Sequence, residues 1–178
     1  MPDVKFLIAL PLLLIAGLTL AGCEREGPNT QRYFLHPGGT EDFLRAVSVK
    51  GPVSILRQGT PYPGQDAELE ALIVKRFTEG QQKVPLRFHF GPAAAPDDTR
   101  IVLAFQPPDN RTSVALCEGE QLGRSAPGKF VVLAAVCVGT QRLAEVKGWT
   151  LKETALDDPD LPQLLGQLIR ELVAPAEQ

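Results

Sequence analysis

Apolar residues recur along this chain with two periods, and the longest stripe lies near the C-terminus. Leu161, Leu164, Leu165, Leu168, Ile169 and Leu172 gather on one helical face. Asp158-Pro159 supplies a cap and a first-turn proline ahead of them, and Pro175 closes the segment. A second helix is predicted from Asp66, read as its cap. There Leu69, Leu72, Ile73 and Phe77 fall at i, i+3, i+4 and i+8, with Lys75 and Arg76 in the last turn before Gly80. Period two marks the next element: Leu86, Phe88 and Phe90 alternate with Arg87 and His89, as in a half-buried strand. Arg100 to Phe105 is nearly all apolar and reads as a central strand. Phe130 to Val138 is another strand, and Gly139-Thr140-Gln141 is a three-residue loop turning it into Arg142 to Leu151 as a hairpin. Ser113 to Cys117 reads as a short strand between two exposed loops, Gln106 to Arg111 and Glu118 to Lys129. Upstream, Thr40 caps a helical turn through Leu44, while Ala46-Val47-Ser48-Val49 and Val53-Ser54-Ile55-Leu56 read as short strands around a Gly51-Pro52 turn. The sum is an α+β domain: an antiparallel sheet of about four to six strands with two amphipathic helices on one face.

The first residues follow a different rule. A short region with Lys5, an apolar core and small residues at its end form a secretory signal rather than a fold element. A membrane span needs about 20 apolar residues. The run from Phe6 to Gly22 is slightly short of that, is interrupted by Pro11 and Gly17, and is not followed by a cluster of positive charge. Its end, Leu20-Ala21-Gly22-Cys23, resembles the lipobox of bacterial lipoprotein precursors. The resemblance implies cleavage between Gly22 and Cys23, a diacylglyceryl group on the Cys23 sulfur and a further acyl chain, such as palmitate, on the freed amine. Two or more chains hold a protein stably at a bilayer. The implied organisation is a signal peptide over 1–22, a lipidated cysteine and flexible tether over 23–32, and one periplasm-facing domain over 33–178. Glu24 stands where an aspartate often marks inner-membrane retention in enteric bacteria, which favours the outer membrane. Glu24 to Thr30 would hold the domain roughly 20 Å from the bilayer.

Composition narrows the partners. The leader holds one acid and one base, so the mature chain keeps the net charge of −3, without the basic excess of nucleic-acid binders. Sixteen glycines and sixteen prolines imply many turns, while the aliphatic content is too high for disorder throughout. With Cys23 lipidated, Cys117 and Cys137 form an even pair in an oxidising compartment. A disulfide between them would close a loop of about 20 residues and contribute on the order of 3 kcal/mol. Two buried free thiols are the alternative. Ala115 to Gln121 and Ala135 to Gln141 share the pattern Ala-aliphatic-Cys-x-Gly-x-Gln, as two similar strand ends would. The stretch from Pro107-Pro108 through the second cysteine and its hairpin resembles envelope lipoproteins of alphaproteobacteria, a resemblance over a third of the chain that brings no activity with it.

No catalytic residue, metal site or cofactor is expected. His36 and His89 are far apart and lack companions at ligand spacing. Asp97-Asp98 and Asp157-Asp158-Asp160 lack the spacing of a calcium loop and read as turn and cap residues. Gly38-Gly39-Thr40 lacks the lysine of a phosphate loop. Asn110-Arg111-Thr112 matches a glycosylation acceptor, which means little in a bacterial chain, and no serine sits in a Gly-x-Ser-x-Gly elbow. Trp149, Phe105, Phe130 and Tyr33 mark either a recognition surface or core packing. The expected function is a non-enzymatic binding or scaffolding module for another envelope component. The alternative is a small-ligand binder or enzyme whose site assembles from residues distant in sequence. Small envelope lipoproteins that activate cell-wall synthases, and the amino-terminal domain of a periplasmic translocation protein, resemble this order of elements.

Overall fold

A computed structural model describes residues 27–81, 85–93, 95, 97–109, 113–120, 129–152 and 154–175. The leader, Cys23, the first tether residues and Asn110-Arg111-Thr112 lie outside this set. Ten elements follow one another: β1 (Asn29–Leu35), α1 (Glu41–Lys50), β2 (Val53–Gln58), α2 (Asp66–Gly80), β3 (Phe88–Phe90), β4 (Thr99–Phe105), α3 (Ser113–Cys117), β5 (Val131–Val138), β6 (Gln141–Trp149) and α4 (Asp160–Leu172). The fold is α+β, with six strands in the order β1-β6-β5-β4-β2-β3.

The sheet is mixed, which corrects the expectation of an antiparallel one. β1, β6, β5 and β4 pair antiparallel, whereas β2 runs parallel to both β3 and β4. The cause is the connection between β2 and β3. A fifteen-residue helix lies there and carries the chain back to the end of the sheet where β2 began, as a β-α-β unit requires. The hairpin of β5 and β6 is as expected, but its turn holds two residues, since Val138 pairs directly with Gln141. Gly139 takes φ 55° at the first turn position, where a left-handed residue is needed.

Among the described residues four helices stand where two were expected. Residues 46–49 belong to α1: Leu44 is fully buried and Val47 packs on the core, while Val49 is 85% exposed. The alternation of Ala46-Val47-Ser48-Val49 is coincidental, because helical spacing decides which of them is covered. Arg45 pairs with Glu41 at 2.6 Å, one turn back. Ser113 to Cys117 is likewise helical; Ser113, Leu116 and Cys117 are buried at i, i+3 and i+4. That assignment removes the idea of two matching strand ends, since Ala115-Leu116-Cys117 is helical and Ala135-Val136-Cys137 lies in β5. Finally, β1 takes in residues 29–32, which the sequence reading assigned to the tether.

α1, α2 and α4 share one face of the sheet and enclose the main core, built from Leu69, Ile73 and Phe77 of α2, the Leu161–Leu172 stripe of α4, and Ile55, Ile101, Leu103, Val132, Ala134 and Val146 below them. Two glycines permit this closeness. A Cβ on Gly148 of β6 would stand 2.7 Å from Leu164 Cδ1, and one on Gly80 would stand 2.5 Å from Ile169 Cγ2. Gly80 was expected as a helix stop, and its stronger role is this approach of α2 to α4. Asp66 lies inside the first turn and its carboxylate accepts from Arg57 Nη1 at 2.7 Å, so it is not the cap. Asp158 does accept from the backbone N–H of Asp160, at 2.9 Å, ahead of α4. The buried Thr40 ties the two chain ends of this layer together. Its hydroxyl donates to the Leu172 carbonyl and accepts from the Ala174 N–H at 3.1 Å.

Candidate functional site

The other sheet face carries α3, and its side chains come from positions that alternate with the main core. Leu116 and Cys117 of α3 pack on Val102, Ala104, Leu133, Ala135 and Cys137, with Leu56 at the margin. Cys117 and Cys137 form a disulfide, with Cα atoms 5.5 Å apart and a separation of 20 residues. Arg100 donates to the Cys117 carbonyl at 3.0 Å and to the Gly139 carbonyl at 2.8 Å, so one guanidinium ties α3 to the β5–β6 turn. Burial disfavours its charge and lowers its pKa from the ordinary arginine value.

Next to the bridge lies a polar cluster within an apolar setting. Glu145 is 7% exposed and sits in β6 between Ala144 and Val146, yet its side chain is on the α3 side of the sheet. It pairs with Ala135 on that side, and a shift of register between Val136 and Cys137 turns Arg142 to the same side. Ser113 Oγ donates to Glu145 Oε2 at 2.6 Å, and Arg142 Nη1 donates to the same oxygen. The Arg142 guanidinium also lies over the Phe34 ring, 4.1 Å from its centroid, which joins β1 to the cluster. Both donors converge on one oxygen of this enclosed carboxylate. Serine and acid are in direct contact, and among the described residues neither histidine hydrogen-bonds to this hydroxyl.

Outside the cluster, toward the edge of the sheet, a recess of about 100 Å³ is lined by Tyr33, Pro107, Pro108, Asp109, Leu133 and Lys147, with Glu145 at its inner side. Tyr33 is 55% exposed. It falls at a bulge of β1 between Arg32 and Phe34, and the extra residue re-aims the strand there. Lys147 and Asp109 lie 3.7 Å apart across the opening. Of the four aromatic residues singled out from the sequence, Tyr33 alone is open. Phe105 and Phe130 are core residues beside Tyr62, with Tyr62 and Phe130 stacked at 5.8 Å. Trp149 is half-buried at the end of β6, where it pairs with Asn29 and Val131.

The remaining candidates stay apart. His36 packs edge-on against Phe43 at 5.9 Å, and its Nδ1 accepts from the Gly38 N–H at 3.1 Å. His89 Nδ1 is 3.2 Å from the Phe90 carbonyl on the far strand β3. Asp98 accepts from Lys50 at 3.0 Å and from the Ala95 N–H at 2.9 Å, as a turn residue does. Asp158 lies 3.7 Å from Lys152. Among the described residues no group of three His, Cys, Asp or Glu side chains is placed to hold a metal, and no helix is long and apolar enough to cross a membrane. Reading the sequence missed the Ser113–Glu145–Arg142 cluster. One signal was present: Glu145 is a lone acid inside the apolar run Leu143-Ala144-Glu145-Val146, where a charge needs a partner.

No family model matches this chain, and no curated protein matches it. Among solved structures it is similar to the PelC dodecamer from Paraburkholderia phytofirmans, with 12% identity and a TM-score of 0.46 over 85% of this chain and 99% of that one. A methionine-substituted PelC dodecamer from the same organism is similar over 83% and 98% of the two chains, with 11% identity and a TM-score of 0.45. Likeness at this level carries no argument about activity.

Proposed function

We propose that the chain is a membrane-anchored envelope lipoprotein whose domain binds or positions another envelope component. The lipobox at Leu20-Ala21-Gly22-Cys23 supports export and anchoring through Cys23, and the Cys117–Cys137 disulfide is in keeping with an oxidising compartment. The outer membrane is the favoured site, on the evidence of Glu24. The observation that carries the binding role is Tyr33, an exposed aromatic on a strand with one free edge, beside a recess that ends in a charged pair. Rigid aromatics of this kind anchor protein contacts. An enzymatic reading has less behind it: the buried Ser113–Glu145 contact is closed by Arg142, and among the described residues no histidine hydrogen-bonds to it.

A photo-crosslinking residue placed at position 33 of the anchored protein in cells tests this. The expected result is a discrete crosslinked species with another envelope molecule, absent when the same residue replaces the exposed Val49 on α1. Identical background patterns from the two positions would contradict the assignment.

A further inference from the structure

A cleft unrelated to the Tyr33 recess runs along the outer side of α4. Three recesses join there, of about 550, 580 and 210 Å³, and Arg170 lines all three. Its floor follows from sequence. Gly166 faces Gly80 at the crossing of α2 and α4, where a Cβ on Gly80 would meet the Gly166 carbonyl oxygen at 3.1 Å. A glycine inside a helix costs about 1 kcal/mol, and here it removes the side chain that would fill the space. One turn on, Arg170 Nη1 lies 3.5 Å from where a Gly166 Cβ would stand. Gln167 and Gln163, one and two turns before Arg170, line the same side of the cleft.

Three glutamates and three arginines line the cleft, and each glutamate is already paired. Glu79 pairs with Arg76 at 2.9 Å, Glu171 with Arg32 at 2.7 Å, and Glu41 with Arg45 at 2.6 Å. The Arg170 guanidinium has no ion-pair or hydrogen-bond partner among the described residues. Arg76, which lines the same cleft, holds its Nε buried without a partner. Five fixed donors of a guanidinium suit an oxyanion, and phosphate oxygens most of all. The position adds a source. Gly27, Pro28, Asn29 and Thr30 form one wall of the cleft, so covalent geometry holds Cys23 within about 14 Å of Gly27.

We propose that this cleft, centred on Arg170 with Gln163 and Gln167, binds the phosphate of a membrane-lipid headgroup and so fixes how the domain sits on the bilayer. The source rests on the lipoprotein reading, whereas the oxyanion chemistry does not. Soluble short-chain phosphatidylglycerol, inorganic phosphate and short-chain diacylglycerol are the probes, titrated calorimetrically into protein purified after expression of the full chain. The intact mass of the same preparation reports lipidation at Cys23 independently. Expected is binding of phosphatidylglycerol that weakens about tenfold in Arg170→Gln, falls as salt is raised, and is unchanged in Arg87→Gln on the exposed β3 side. Diacylglycerol should not bind. Equal affinity of Arg170→Gln and wild type would overturn the site. Binding of inorganic phosphate as tight as the lipid would overturn the headgroup and leave the anion site standing.

Discussion

Glu145 shows how much a single residue can govern in this fold. Its carboxylate is held by Ser113 and Arg142, and each donor comes from a different element, so the cluster couples α3 to the hairpin. Removing only the cation should leave a buried charge with one donor. Arg142→Met is expected to cost about 2–3 kcal/mol in urea unfolding, whereas Arg142→Met with Glu145→Leu should return to within about 1 kcal/mol of wild type. A double variant as unstable as the single one would mean that the cluster acts through shape rather than charge. Tyr62 supplies a test in pH. Burial raises its phenol pKa above the ordinary 10.0, against the lowering by its hydrogen bond to Thr154 at 3.0 Å and with a smaller raising by the charge of Asp158. The folded state therefore binds this proton more tightly than the unfolded state. Its contribution is complete below pH 10 and is lost as pH rises past that value. Denaturation curves of wild type and Tyr62→Phe should accordingly diverge in their alkaline limbs, with wild type losing more stability. Reading the sequence passes over this carboxylate, although an acid within an apolar run was a signal for it, and nothing local pointed to its partners. They lie three residues away across a register shift and 32 residues away on α3, distances that no local pattern encodes.

Elements that were long and strongly periodic were legible, and short ones were not. α2, α4, β4 and β5 sit within one or two residues of where the apolar spacing puts them, because each has enough positions to separate period 3.6 from period 2. Ser113-Val114-Ala115-Leu116-Cys117 has five residues and fits either. Its helical form is decided by what it covers, namely Leu133, Ala135 and the bridge. α1 repeats the lesson, since Val49 would face inward in a strand and faces solvent in the helix. Contact between elements also explains two glycines. Gly148→Ala should push Leu164 and Leu168 of α4 away from β6, and Gly80→Ala should push Ile169 away from α2. Each is expected to lower stability by about 1–3 kcal/mol in the same urea assay, against the usual gain of a glycine-to-alanine change. The bridge belongs to this scale as well. Replacing Cys117 and Cys137 together by serine should cost on the order of 3 kcal/mol, and alkylation of the native, unreduced protein should leave both positions unlabelled.

At the scale of the molecule, the sheet order combines an antiparallel half, β1-β6-β5-β4, with a parallel half, β2-β3, added at one side. The class α+β could be read from the element types, but not the parallel pairing, which needs the recognition that a helix between two strands reverses the chain. The two faces of the sheet leave two distinct surfaces. The helical side carries the cleft at Arg170 next to the point where the chain arrives from Cys23, and the α3 side carries Tyr33 and its recess. On the anchoring proposed through Cys23, one side would meet the bilayer and the other would stay open, as suits a binding module. That picture depends on the anchor, and intact mass spectrometry of the protein extracted from bacterial membranes tests it most directly. The predicted result is a chain beginning at Cys23 with the mass of three fatty acyl chains and glycerol added, and none of this mass in Cys23→Ser. An unacylated chain that retains residues 1–22 would contradict the account.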